Sequence, residues 1–313
     1  MKKLGLIIVT AGLAAALSGC GKANIDYMYL ETGECAQTLG ANNGYFSGLN
    51  QKCLSYYDQW EEATTEDYIQ YSQESATDFT DEDKEVLDEV FEMIEESFDE
   101  QGLKWPAACP VKVGATTMDE VPWEGGYTLG TTMFLSEPLI ASYAEDEDAD
   151  LTELEEMAAH QLFHTITRNR PEIRKDLYEL MGFSVAKIEF EIPEDIYELM
   201  IMKPDVNYRD SYATFTIDGQ PKECLLLTVC RDDFQKEGDT PLDTMFTCLL
   251  DINDGTPYVS DDASDFYEIM GNDGIYFEDP EEALAYDFAD AIVHGQEGDN
   301  SLYVQGILDY FKK

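Results

Sequence analysis

Basic residues are scarce in this chain of 313 residues: 19 lysines and arginines stand against 66 aspartates and glutamates, a formal net charge of −47. A surface this acidic repels the phosphates of nucleic acids, so we expect no nucleic-acid partner. The charge does not indicate disorder, because apolar residues make up 44% of the chain and aromatic residues 12%, which is enough for a packed core. The length favours one large domain, or one domain with an appendage.

Several common site motifs are also missing. The chain has no G-x-S-x-G elbow for a serine nucleophile and no glycine-rich phosphate loop. It has no C-x-x-C pair, which makes a cysteine zinc site less favoured than other uses of its cysteines. Residues 251–255 begin like a calcium loop, but the EF-hand spacing fails. These absences argue against serine hydrolases, nucleotide-binding proteins and EF-hand proteins.

The first twenty residues resemble a targeting segment. Two lysines precede the apolar run Leu4–Leu17, which is too short to span a bilayer, and Leu17–Cys20 resembles a lipobox. We therefore predict a lipoprotein signal peptide at 1–19 and lipidation of Cys20, followed by a tether at 20–30. The alternative is an ordinary secretory signal with a chance cysteine. The prediction implies export to an oxidising compartment and a lipid anchor in the cell membrane or the outer membrane.

Six cysteines remain after Cys20, and an even number in an exported chain favours disulfides, with fifteen possible pairings. Cys35 and Cys53 form the natural local pair, which would staple a helical segment at 31–80. Cys224 and Cys230 end a strand-like run that separates them by roughly 20 Å, so we expect one of the two to bond a cysteine in the next strand. The alternative is reduced, buried thiols. The disulfide candidates are Cys35, Cys53, Cys109, Cys224, Cys230 and Cys248.

Apolar periodicity and capping residues divide the rest of the chain, residues 81–313, into helices and strands of one mixed domain. We predict helices at 81–102, 152–167, 171–181, 281–293 and 302–311, and strands at 110–113, 127–135, 223–231 and 244–252. Thr152 and Glu155 fit a capping box at the start of the second helix.

That second helix carries the motif with the clearest chemistry. Only three histidines occur in the chain, and His160 and His164 lie four residues apart on an otherwise apolar turn. On a helix this spacing directs two imidazoles to one metal ion, as in the zinc-peptidase pattern H-E-x-x-H. Gln161 stands where that pattern has the glutamate that activates water, and an amide is not a base at neutral pH. The alternative is two histidines used for packing.

Three blocks of the sequence resemble a bacterial family of gluzincin-like metallopeptidases over about residues 110–295. In that family the blocks read as a strand before the metal helix, then H-E-L-F-H followed by S-R-N-x-P-E-x-R, L-Y and G-F, then H-P-E-E-x-x-A-x-N-F-A. The matching stretches here are Thr116–Leu135, His160–Phe183 and Asp279–Ala289.

The resemblance implies an α+β, zincin-like fold with a small mixed sheet and an active-site helix. It implies Zn²⁺ held by His160, His164 and Glu282, with Glu281 as the alternative third ligand. A bound peptide would add along an edge strand within 127–135. The chain departs from the family at Gln161, the degenerate position of the general base, and at Asp279, where the family has histidine.

Three functions remain open on this evidence. The first is an envelope-anchored lipoprotein with a degenerate metallopeptidase-like domain that is weakly active or inactive and binds zinc and a peptide or protein. The second is an active zinc metallopeptidase that uses another base. The third is a structural envelope lipoprotein without metal. The first hypothesis predicts that Gln161→Glu gains hydrolytic activity.

Overall fold

The structure is a computed structural model, which describes residues 22–41, 43–58, 64–107, 109–121, 125–146, 148–206, 208–230, 245–271, 279–295 and 303–312. Within these residues the chain has an α+β fold with two five-stranded sheets and a set of helices. The predicted signal peptide and Cys20 lie outside the described residues. No helix in the described part of the chain combines the length and the apolar character needed to cross a membrane.

The segment before residue 80 is helical, as predicted, but its start is part of the fold. Residues Tyr27–Tyr29 form β1, which pairs in parallel with a strand of the first sheet, and Ile25 beside it is buried. The prediction of a tether over 20–30 therefore needs correction, because the backbone of its last residues is bonded into the sheet. The helices that follow are α1 (Thr32–Ala41), α2 (Asn43–Phe46), α3 (Gln51–Asp58) and α4 (Thr65–Glu74).

The predicted disulfides are absent, because all six of the candidate cysteines are free and buried. The local pair fails because its two thiols contact different parts of the fold. The Sγ of Cys35 lies 3.9 Å from the carbonyl oxygen of Leu30, whereas the Sγ of Cys53 lies 3.1 Å from that of Met200. Proximity in sequence therefore does not bring the two sulfurs together.

The second predicted pairing fails by register. In the ladder between the two strands, Cys248 lies opposite Leu227, three residues from both Cys224 and Cys230. Neither cysteine of the first strand is a direct neighbour of Cys248, and the alternative reading of buried thiols describes all of them, including Cys109.

The first sheet is small and mixed, as predicted. Its main strand order is β1-β3-β5-β4, with β2 paired to β3, and β4 is antiparallel to β5 at the end of that order. The single strand predicted at 127–135 is instead a hairpin of two strands. Gly130, with φ of 63°, makes the turn, since this left-handed conformation is easy only for glycine. The strands are β2 (Ala76–Thr77), β3 (Val111–Thr116), β4 (Gly126–Leu129) and β5 (Thr132–Ser136).

Helices cover this sheet. Thr80 and Asp83 form a capping box at the start of α5, and Gly102, with φ of 69°, ends that helix. The capping box predicted at Thr152 does not form; the backbone N–H and the hydroxyl of Thr152 both donate to Asp150 instead. The helices here are α5 (Asp81–Gln101), α6 (Glu137–Ala144), α7 (Thr152–Asn169) and α8 (Pro171–Leu180).

The second sheet is antiparallel, in the order β10-β9-β8-β7-β6. The strand pair predicted around 223–231 and 244–252 is its centre. Its strands are β6 (Ser184–Val185), β7 (Ser211–Ile217), β8 (Gln220–Cys230), β9 (Met245–Asp251) and β10 (Pro257–Val259), and the short helix α9 (Glu194–Tyr197) lies between β6 and β7.

The last helices complete the core beneath the first sheet. The helix α11 packs along α7, and Phe288 of α11 meets Phe163 of α7 with ring centroids 5.5 Å apart. This contact places the first turn of α11 beside the two histidines. The helices are α10 (Phe266–Met270), α11 (Pro280–Val293) and α12 (Val304–Phe311).

Candidate metal centre

Two histidines and one glutamate converge at a buried point between α7 and α11. The Nε2 atoms of His160 and His164 are 3.1 Å apart. Each of them lies 3.5 Å from one of the carboxylate oxygens of Glu282, which is 118 positions after His164 in the chain. All three residues are buried, and the group could hold a metal ion.

Two polar atoms of this group lack a hydrogen-bond partner among the described residues. They are Nδ1 of His160 and Oε2 of Glu282, and both are buried. A buried polar atom without a partner is costly unless something else binds it, so such atoms in a native fold call for a reason. For the carboxylate oxygen, which faces Nε2 of His164, a bound metal ion would supply that reason.

Glu281, the alternative third ligand of the sequence analysis, lies behind the centre. Its Oε1 is 3.2 Å from Nδ1 of His164, on the side of the ring away from His160. A carboxylate can only accept here, so Nδ1 donates, and Nε2, which faces the centre, would offer its lone pair to a metal ion once it gives up its proton. The hydroxyls of Thr167 and Tyr178 also donate to Glu281. The structure thus brings Glu282 into the group and gives Glu281 a supporting position.

The charges around the centre favour a cation. Burial alone would lower the pKa of His164, but the nearby carboxylates, with Asp205 the largest contributor, raise that pKa to about 10. Burial would raise the pKa of Glu282, yet the two histidines hold it well below its usual value. Four buried carboxyl groups, including Glu281 and Asp279, lie in or beside this group. Without an ion the protonated ring of His164 balances part of their charge, and a bound cation would replace that proton.

The amide of Gln161 is bonded to β4 rather than directed at an open space. Its Nε2 donates to the carbonyl oxygen of Gly126 at 3.1 Å, and its Oε1 accepts from the hydroxyl of Thr128 at 2.8 Å. Because a carbonyl oxygen can only accept, the NH₂ group must face Gly126. A Cβ at Gly126 would lie 2.7 Å from the side chain of Leu135 on β5 but 3.5 Å from that of Gln161, so it is the packing against β5 that requires glycine here.

Asp205 belongs to the surroundings of the centre, although no sequence motif points to it. Its Oδ1 accepts the backbone N–H of Thr128 at 2.6 Å, and burial raises its pKa against the opposing charges of His164 and Arg168. The sequence around it, Lys203–Asp205, has the look of an ordinary turn beside a proline. Nothing in its spacing from the histidine motif points to the centre, since only the tertiary fold brings them together.

Two further residues border the group. Asp279, at the position where the resembling family has histidine, is the N-cap of α11 and accepts the backbone N–H of Glu282 at 3.0 Å. Burial and the charge of Glu281 raise the pKa of Asp279 to about 8. The ring of Tyr286 meets His160 edge to face, with centroids 4.5 Å apart, and is 42% exposed. His160 and Tyr286 therefore form the outer rim of the centre.

Comparison with known proteins yields no assignment. No protein-family model matches the chain, and neither a curated protein nor a solved structure is detectably similar to it. The chemistry of the centre must therefore be argued from its own residues.

Proposed function

We propose that this protein is a zinc-binding, metallopeptidase-like protein in which His160, His164 and Glu282 hold the ion and peptide hydrolysis is weak or lost. The fold proposed with it is zincin-like, of the gluzincin type. The prediction of an exported lipoprotein anchored through Cys20 is carried into this proposal, because it gives the protein a place at the cell envelope.

The convergence of three donor atoms is the observation that carries the proposal. Zinc binds histidine nitrogen and carboxylate oxygen at about 2.0–2.2 Å, and tetrahedral geometry then separates neighbouring ligand atoms by roughly 3.3 Å. The Nε2 atoms of His160 and His164 are 3.1 Å apart, and each lies 3.5 Å from a different oxygen of Glu282. With one donor atom taken from each residue, the three atoms lie within 4.8 Å of one another. Two nitrogens and one oxygen suit zinc better than calcium or magnesium, which prefer oxygen ligands throughout.

The position of Glu281 supports the same reading. A histidine that binds a metal nearly always donates its other ring N–H to a carboxylate or carbonyl group, which fixes the ring and makes it a better donor. His164 has such a partner in Glu281. Two histidines that only pack together would not require one glutamate, Glu282, to face both rings and its neighbour, Glu281, to bond the far side of His164.

The bonding of Gln161 supports weak hydrolysis. When bound, zinc would supply an electrophilic charge that polarises a carbonyl group and acidifies water. The residue next to His160 would then have to accept a proton, and the amide of Gln161 cannot do so. Both ends of that amide are also bonded to β4. Loss of a positioned general base costs roughly 10²- to 10⁴-fold in rate.

Metal analysis of the purified full chain tests the proposal. We expect about one zinc per chain after reconstitution, measured by inductively coupled plasma mass spectrometry, and its loss on treatment with a chelator. A cleavage assay with a mixture of peptides should show little hydrolysis that a chelator can inhibit. No zinc after reconstitution would overturn the metal-binding proposal, and strong chelator-sensitive cleavage would overturn the claim of weak activity.

A further inference from the structure

The edge strand β4 is the place where an extended peptide would be expected to bind beside this centre. One side of β4 pairs with β5, and β4 is the last strand in the main order of the first sheet. Peptides commonly bind such an edge by adding a strand, which requires the outward-facing N–H and C=O groups of the edge. The groups of β4 that point away from β5 therefore decide whether this binding mode is open.

In this chain three of those groups are bonded to the protein itself. The N–H of Thr128 donates to Oδ1 of Asp205 at 2.6 Å, and the C=O of Thr128 accepts from Arg168. The carbonyl oxygen of Gly126, two residues earlier and on the same side, accepts from Gln161. An incoming strand would have to compete for each of these bonds.

Arg168 also fastens Asp205 in place. Its guanidinium donates to the carbonyl oxygens of Pro204 and Asp205 at 2.9 and 2.7 Å, while its other terminal nitrogen reaches Thr128 and Gly130 on β4. One side chain, seven positions after Gln161 on α7, thus joins the edge strand to the segment that carries Asp205.

We propose that Asp205 and Arg168 form a clasp that occupies the free edge of β4, so that the centre takes an extended polypeptide by strand addition only when the clasp is broken. The two residues are thus specificity-determining residues of the site. The inference rests on the proposed function, because a peptide bound at β4 has a role only if the adjacent centre also binds it. The bonds of the clasp themselves do not depend on a metal ion.

A purely protective role is the competing explanation. Proteins cover exposed sheet edges to avoid aggregation. That role predicts that breaking the clasp yields aggregation or unfolding, without specific binding. The clasp predicts instead that a folded variant gains affinity for a strand-forming peptide.

The test compares variants that break the clasp with variants that keep it. Asp205→Ala removes the acceptor for the backbone N–H of Thr128. Asp205→Asn retains an acceptor oxygen, so the clasp should stay closed in that variant. Arg168→Ala removes the other half of the clasp, the guanidinium bonded to β4. Arg209→Ala is its control, since Arg209 pairs with the exposed Glu189.

The probe is a capped, neutral, fluorescein-labelled peptide of alternating threonine and valine, followed by fluorescence anisotropy. A matched peptide with alternate N-methyl groups cannot form the strand ladder. We expect Asp205→Ala and Arg168→Ala to bind the unmethylated peptide at least about tenfold more tightly than wild type, as expected from freeing one or two backbone groups. Asp205→Asn and Arg209→Ala should match wild type.

Three results would overturn the clasp. They are equal binding by wild type and the alanine variants, no gain in variants that circular dichroism shows to be folded, and a gain that the methylated peptide shares. If the alanine variants do not fold, hydrogen exchange of the wild-type Thr128 amide decides. The clasp requires that amide to be protected and to stay unchanged under excess peptide.

Zinc content, measured on every variant, separates this inference from the proposed function. Zinc retained with no gain in peptide binding overturns the clasp alone. A gain in peptide binding by protein that never binds zinc leaves the clasp intact and overturns the metal-binding proposal.

Discussion

The two sides of the centre differ in what their polar groups do. On the helical side, His160, His164 and Glu282 direct donor atoms at one point, and Oε2 of Glu282, which faces His164, has no hydrogen-bond partner among the described residues. On the strand side, the amide of Gln161 and the carboxylate of Asp205 are bonded to β4. The helical side is thus prepared for a ligand, whereas the strand side is already satisfied by the protein.

Under the proposed function, this difference separates metal binding from peptide hydrolysis. Metal binding needs only the helical side. Hydrolysis of a peptide also needs the strand side, which must supply a base and accept a substrate. A chain that keeps the first and closes the second would bind metal with little turnover, and the following variants examine each side in turn.

The largest effect is expected on the helical side, from His164→Ala. Zinc binding at structural sites is worth roughly 10–16 kcal/mol shared among about four ligands, so losing one should weaken affinity by roughly 10²- to 10³-fold. Competition with a chromophoric chelator measures this. The control is His294→Ala, which removes the third histidine, a surface residue paired with Glu156, and should leave affinity unchanged. Equal loss in both variants would refute the centre.

Glu281→Gln should weaken zinc binding less, by roughly 10- to 100-fold, the usual effect of losing a carboxylate that supports a metal-binding histidine. Titration calorimetry with zinc measures it. Tyr178→Phe is the matched control, because it removes one donor to Glu281 without touching His164. That variant should lose about 1.5–3 kcal/mol of unfolding free energy, the usual worth of a hydrogen bond to a charged group, and bind zinc nearly as wild type does. An unchanged affinity in Glu281→Gln would show that Glu281 is only structural.

Much of the helical side could be predicted from sequence, because its signals are local. The spacing of His160 and His164 fixes their common face once the helix is known, and α7 begins and ends within two residues of its prediction. The resemblance to a family predicted Glu282 as the third ligand, and the structure places it beside the two histidines. The separate task of Glu281 was missed, because two consecutive acids at a helix start look alike in sequence.

The strand side could not be predicted, because its contacts join residues far apart in the chain. Asp205 lies 77 positions after Thr128, and no periodicity links them. The hairpin of β4 and β5 was read as one strand, since the left-handed turn at Gly130 is short and the threonines that follow it also favour a strand. The cysteine pairings failed for a similar reason, as spacing along the chain does not give the direction of a thiol.

Gln161→Glu is the prediction that the structure changes most. The sequence alone suggested a gain of hydrolysis, but a glutamate oxygen would face the carbonyl oxygen of Gly126, where an N–H now donates. We expect little gain in cleavage and a loss of roughly 1–3 kcal/mol of unfolding free energy at pH 7, from two opposed acceptors. Gln161→Met is the control, since it removes the same bonds without adding charge.

The pH dependence of that variant gives an independent check. Burial beside a carbonyl oxygen raises the folded-state pKa of a glutamate above its usual value of about 4.3. Stability is then greatest below that value, where the protonated acid can donate to Gly126, and is lost as pH rises through the raised pKa. Chemical denaturation of Gln161→Glu and Gln161→Met from pH 4 to pH 8 measures this. Parallel curves for the two variants would contradict the assigned bond.

The smallest effect is expected from Thr128→Val, which keeps the shape of the side chain and removes the hydroxyl that donates to Oε1 of Gln161. The backbone groups of Thr128 still bind Asp205 and Arg168, so the clasp stays closed. We expect a loss of about 1 kcal/mol in unfolding free energy, the typical worth of one hydrogen bond, with zinc affinity unchanged. Urea denaturation and zinc titration measure the two quantities. A large fall in zinc affinity would show that the strand side takes part in holding the ion, and the separation of the two sides would then be wrong.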